Sequence, residues 1–150
     1  MKVIAAGNAF YGDDGVGAAV LEAARASKNL PGVELVDIRT DALALLDHLE
    51  DGRKTIVVDA ARMGLEPGEV AVFRPDEVEL RIRQDLLSVH GFGLAEVFAL
   101  ARGLGWLPDD VLIVGVEPAV LGIDQGLSAP ARAAVKRVLA IIEAEVGSDA

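Results

Sequence analysis

Two carboxylates and one imidazole, those of Asp14, Asp59 and His90, stand where this chain could do chemistry. Asp14 sits in a glycine-rich stretch, Gly7-Asn8-Ala9-Phe10-Tyr11-Gly12-Asp13-Asp14-Gly15-Val16-Gly17. Asp59 ends the apolar run Thr55-Ile56-Val57-Val58 and precedes the small residues Ala60 and Ala61. His90 lies in Ser88-Val89-His90-Gly91-Phe92-Gly93, with glycines close on its carboxyl side. Donors of this kind suit a borderline divalent metal such as nickel or zinc, with coordination positions left open. Carboxylate and imidazole are also the usual general bases for activating water. The three residues are far apart in sequence, so they form a site only if the fold brings their loops together.

Each also has a plainer reading. Asp13 reads as a cap of the first helix, accepting amide hydrogen bonds and complementing the helix dipole. A second cap is superfluous, so Asp14 reads as functional. Gly15 and Gly17 support this, because each lowers helix propensity by about 1 kcal/mol relative to Ala, a cost expected where a backbone or ligand approaches closely. Asp59 could be a turn residue, but a carboxylate ending an apolar strand more often marks a site in a parallel α/β sheet. His48, beside Asp47 and Glu50, reads as a solvated surface residue.

The elements that must position these residues alternate between strand-length apolar runs and segments of helical period. That pattern predicts a three-layer α/β/α sandwich, with a twisted, mostly parallel sheet of five or six strands and helices on both faces. Strands are expected at 3–6, 33–38, 55–59 and 111–116, with 55–59 central because its β-branched residues run without polar relief. An edge or antiparallel strand is expected at 69–74, after Pro67-Gly68. Helices are expected at 14–26 (buried stripe Val16, Val20, Ala23, Ala24), at 41–50 (Leu43, Leu45, Leu46, Leu49) and at 93–102. A last helix opens at Ser128-Ala129-Pro130, a cap residue with an early proline, and its stripe is Val135, Val138, Leu139 and Ile142. Residues 75–89 fit neither period. Residues 1–150 read as one domain, a size that can bury roughly 70% of its unfolded surface around a single core.

Composition narrows the classes of function. A formal net charge of −10 and the lack of a basic stripe argue against a nucleic-acid partner. The chain has no cysteine, which excludes thiol nucleophiles, disulfides and thiolate metal sites. Charged residues, Gly and Pro interrupt every apolar run before the roughly 20 residues needed to span a bilayer. The N-terminal apolar run is too short for a signal peptide, so a cytoplasmic protein is expected.

Taken together and in order, these segments resemble the hydrogenase maturation endopeptidases. Gly7-Asn8 to Asp13-Asp14-Gly15-Val16-Gly17 is similar to the family's opening signature, and Ile56-Val57-Val58-Asp59-Ala60 to its second acidic segment. Ser88 to Leu94 is similar to its histidine segment, and Val114-Gly115-Val116-Glu117-Pro118 with Gly126-Leu127-Ser128-Ala129-Pro130 to its closing strand and the start of its last helix. The resemblance implies an endopeptidase, aspartic-type by classification, that removes the C-terminal extension of a nickel-loaded large-subunit precursor of a [NiFe]-hydrogenase. It places Asp14, Asp59 and His90 at the nickel-binding positions, Asp14 being shorter than the Glu that other members carry. It also implies a monomer with no tightly bound resident cofactor, the nickel being supplied by the substrate. One segment departs from the family: Arg39-Thr40-Asp41-Ala42 stands where many members have a Gly-Thr-x-Gly turn linked to substrate recognition, so positive φ should be less accessible here.

Rival classes remain on the residues alone. A phospho-receiver would also carry an acidic pair and a strand-end Asp, but it has Lys-Pro after its last strand where this chain has Glu117-Pro118. A resident-metal amidohydrolase could use the same three ligands. A nucleotide-binding module is weaker, because the glycine stretch matches no phosphate-loop pattern. Neither a His-Glu-x-x-His zinc motif nor a serine nucleophile elbow is present.

Overall fold

The computed structural model describes residues 1–85 and 93–148. Strand β1 (Lys2–Ala6) leads through a 3-10 turn, Gly12–Gly15, into helix α1 (Val16–Ala26). Strand β2 (Glu34–Arg39) and helix α2 (Ala42–Leu49) follow, then strand β3 (Thr55–Arg62) and strand β4 (Val70–Phe73). The stretch that fitted neither period contains a short helix α3 (Val78–Arg81) and a two-residue strand β5 (Gln84–Asp85). Helix α4 (Leu94–Leu104), strand β6 (Val111–Val116) and helix α5 (Ala129–Ser148) complete the described residues.

The sheet order is β2-β1-β3-β6-β4, with β5 antiparallel to the end of β3. Pairings among β2, β1, β3 and β6 are parallel, and β4 joins β6 antiparallel at the edge. Val3, Ala5, Ile56, Val58, Leu112 and Val114 pack on one face against α1 and α5. Ile4, Val57, Ala61 and Ile113 pack on the other against α2 and α4. The predicted three layers and mostly parallel sheet are therefore observed, and β3 is central. Chain order reverses between β1 and β3: β1 connects outward to β2 through α1 on one face, while β3 connects towards β6 through α4 on the opposite face. Such a reversal opens a crevice beyond the carboxyl ends of the two strands, the usual ligand position in open α/β sheets.

Two local expectations are corrected. Helix α1 starts at Val16 rather than residue 14, because residues 12–15 form a 3-10 turn and the carboxylates of Asp13 and Asp14 are engaged elsewhere. Asp59 does not end its strand. β3 runs on to Arg62, since β6 still pairs opposite Asp59 and Ala60, and β5 pairs opposite Ala61 and Arg62. At the far end of the sheet Lys2 is buried, donating to the His48 carbonyl at 2.7 Å and pairing with Asp51 at 2.6 Å. No helix among the described residues is long and apolar enough to cross a membrane.

Candidate active site

Two of the three expected residues are buried, Asp14 in the turn after β1 and Asp59 on β3. Asp14 lies in the turn that follows β1, and this turn packs on β3. Asp14 is 7% exposed, and its Oδ2 accepts the Asn8 amide hydrogen at 2.8 Å. The loop reaches this position because Gly7 takes φ 120, a conformation open to glycine; a Cβ there would run into the backbone oxygen of Asp14. Asp59 is 1% exposed and alternates along β3 with Val57 and Ala61, so its side chain belongs to the face covered by α2 and α4. His90 lies outside the described residues. Among the described residues no cluster of three His, Cys, Asp or Glu side chains is arranged for a metal.

Two buried carboxylates cost free energy unless an interaction compensates for lost hydration, and such groups gather where chemistry needs them. Carboxylates of this kind can ligate a divalent metal or take a proton from water.

A neighbouring carboxylate builds the wall. Asp13 was expected to cap α1, but it does not: Gly15 occupies the cap position, with no side-chain cap bond. Asp13, 1% exposed, instead accepts the amides of Ala119 (2.7 Å), Val120 (3.0 Å) and Ser128 (2.7 Å), and the Ser128 hydroxyl (2.7 Å). Burial pushes its pKa up, but the hydrogen bonds from Ser128, Val120 and Ala119 outweigh that and hold the carboxyl below the ordinary 3.8. The loop after β1 and the loop after β6 are thereby joined. Backbone bonds from Gly12 to Gln125, Asp13 to Val120 and Asp124 to Phe10 complete the seam, and Ser128 also caps α5 through Ala131. Glu117, which follows β6, has a structural role that its sequence setting does not reveal. It is 5% exposed, and its Oε1 accepts the amides of Met63 (2.8 Å) and Leu65 (2.9 Å), so it secures the connection after β3. Asp13 reads as a helix cap in the sequence because nothing nearby in the chain names its partners, which come from residues 119–128.

On the β2 side, a cleft of about 390 Å³ is lined by the 7–10 loop together with Asp37, Arg39 and Thr40. Arg39 takes φ 54, a left-handed conformation at a residue that is not glycine. Positive φ, expected to be less accessible here, is adopted nonetheless, and a hydrogen bond from the Arg39 amide to Asp37 Oδ1 (2.9 Å) supports it.

Comparison with known proteins gives a consistent result. The model of one family, described as hydrogenase maturation protease, matches residues 18–145. The hydrogenase expression/formation protein HupM of Azotobacter chroococcum is 36% identical over 141 residues, 93% of this chain and 68% of the relative. The hydrogenase 2 maturation protease of Escherichia coli is 30% identical over 139 residues, 91% of this chain and 84% of that one. Among solved structures, the hydrogenase maturating endopeptidase HybD from E. coli superposes with a TM-score of 0.85 at 27% identity, covering 99% of this chain and 94% of its own.

Proposed function

Because the chain belongs to the hydrogenase maturation protease family and is therefore an endopeptidase that processes a hydrogenase large subunit, we propose that it trims the C-terminal extension of a nickel-loaded [NiFe]-hydrogenase precursor. The observation that carries this reading is the pair of buried carboxylates, Asp14 in the turn after β1 and Asp59 on β3, the two strands that flank the switch point of the sheet. In this reading Asp14, Asp59 and His90 complete the coordination of nickel already seated in the substrate. The scissile bond is held beside that cation, which polarises its carbonyl as a Lewis acid, and one carboxylate takes a proton from the attacking water. Specificity for loaded precursor follows, because a precursor without nickel offers these residues nothing to bind. The protease needs no resident cofactor and acts as a cytoplasmic monomer. The receiver and amidohydrolase readings lose their ground with the family assignment.

The test is incubation of purified protein with cognate precursor, with and without nickel, followed by mass spectrometry of the large subunit. Loss of a C-terminal fragment only from the nickel-loaded sample is expected. Equal cleavage of both would remove nickel from recognition. Asp59→Asn should lower the cleavage rate by roughly 10²–10⁴-fold, the usual contribution of a positioned acid or base. His90→Ala should also be impaired, and undiminished cleavage would take that residue out of the mechanism.

A further inference from the structure

The turn after β2 is built in a conformation that its residue type disfavours. Arg39 sits at φ 54, in the left-handed region that glycine adopts freely and an L side chain does not. Two hydrogen bonds hold it there. Asp37 Oδ1 accepts the Arg39 amide at 2.9 Å, and the Arg39 carbonyl accepts the Gly7 amide at 2.7 Å. The parallel pairing slips at the same place, since Ala5 is opposite Asp37 but Ala6 is opposite Arg39. Ile38 is therefore the extra residue, and its side chain is buried in the core.

The second of these bonds reaches the site. Gly7 is followed by Asn8, whose amide donates to Asp14 Oδ2 at 2.8 Å. Gly7 itself lies so close to Asp14 that a Cβ would meet its backbone oxygen. The Gly7–Asn8 backbone is thus clamped between the Arg39 carbonyl on one side and the Asp14 carboxylate on the other. We infer that Asp37 and the left-handed Arg39 turn are positioning residues for Asp14: the Asp37 carboxylate holds the turn, the turn holds Gly7, and Asn8 aims Oδ2. Asp37 and Arg39 are exposed on an edge strand, where one hydrogen bond adds little to global stability. Stability alone would favour glycine at position 39. The tether at Asp37 keeps a disfavoured conformation whose consequence is felt at Asp14.

This inference rests on the reading that Asp14 acts in precursor cleavage, and the experiment separates the two. kcat and KM for trimming of the nickel-loaded precursor are measured together with Tm. Asp37→Ala should lower kcat about tenfold, the factor that one net hydrogen bond corresponds to, with KM and Tm little changed. Asp37→Asn keeps the accepting oxygen and should restore the wild-type kcat. In the double variant Asp37→Ala/Arg39→Gly, kcat should also recover, because glycine holds φ 54 without a tether. Wild-type kcat in Asp37→Ala overturns the inference and leaves the proposed function standing. Asn as slow as Ala, or a loss of kcat that tracks a fall in Tm, overturns it as well. A wild-type protein that leaves the precursor intact overturns both.

Discussion

Asp13 shows how much a single buried carboxylate can organise. Its oxygens accept hydrogen bonds from the amides of residues 119, 120 and 128 and from the Ser128 hydroxyl, so it ties two loops that are separated by more than 100 residues of chain. Its pKa is held below 3.8 in the folded protein, so the ionised form stabilises the fold. That contribution is fully present above the unfolded value and is lost as pH falls below 3.8 through the folded one. Asp13→Asn replaces one acceptor oxygen with a donor facing donors. The variant should lose about 2–3 kcal/mol at pH 7, the cost of unsatisfied buried groups. Urea unfolding at pH 7 and pH 3 checks both parts, because the gap between variant and wild type should narrow in acid. Equal stabilities at pH 7 would mean the seam holds without this carboxylate.

Helix α1 must come close to the sheet for the turn before it to reach the crevice, and Gly17 permits that approach. A Cβ at Gly17 would lie 2.9 Å from the Ala6 oxygen, 3.1 Å from the Ala5 side chain and 3.2 Å from the Val58 oxygen. Gly17→Ala should therefore push the helix outward and destabilise the protein by about 1–3 kcal/mol, the usual cost of overpacking. Gly103 in α4 provides the contrast, since nothing stands within 4 Å of a Cβ there. Gly103→Ala should stabilise by about 0.4–1 kcal/mol through the unfolded chain. Thermal unfolding of the two variants side by side should show opposite shifts, and shifts of the same sign would contradict the close-approach role of Gly17.

At the scale of the molecule, the formal charge of −10 on 150 residues is a standing self-repulsion. Several charges are locally compensated, as in Lys54 with Glu145 at 2.9 Å and Lys2 with Asp51 at 2.6 Å, but acidic side chains outnumber basic ones by 24 to 14. Raising NaCl from about 10 mM to about 150 mM shortens the screening length roughly fourfold and should raise Tm by about 2–4 °C. A flat or falling Tm would show that attractive pairs, rather than the excess charge, dominate the field.

Elements whose signal is local were legible before any coordinates. Strand β6 has its predicted bounds, the edge strand β4 is antiparallel, and α5 opens at a Ser128 cap with an early proline, because periodicity, capping and turn chemistry are written within a few residues. Asp14 and Asp59 could be singled out by type and setting for the same reason. Hidden from such reading were the partners of Asp13 and Glu117, the run of β3 past Asp59, and the left-handed Arg39. Each depends on a neighbour supplied by a distant segment: residues 119–128 for Asp13, 63 and 65 for Glu117, β5 and β6 for β3, and Gly7 for Arg39. A buried polar group takes whatever donor the crossovers of the chain deliver, and that delivery follows strand order, which no short window of residues contains.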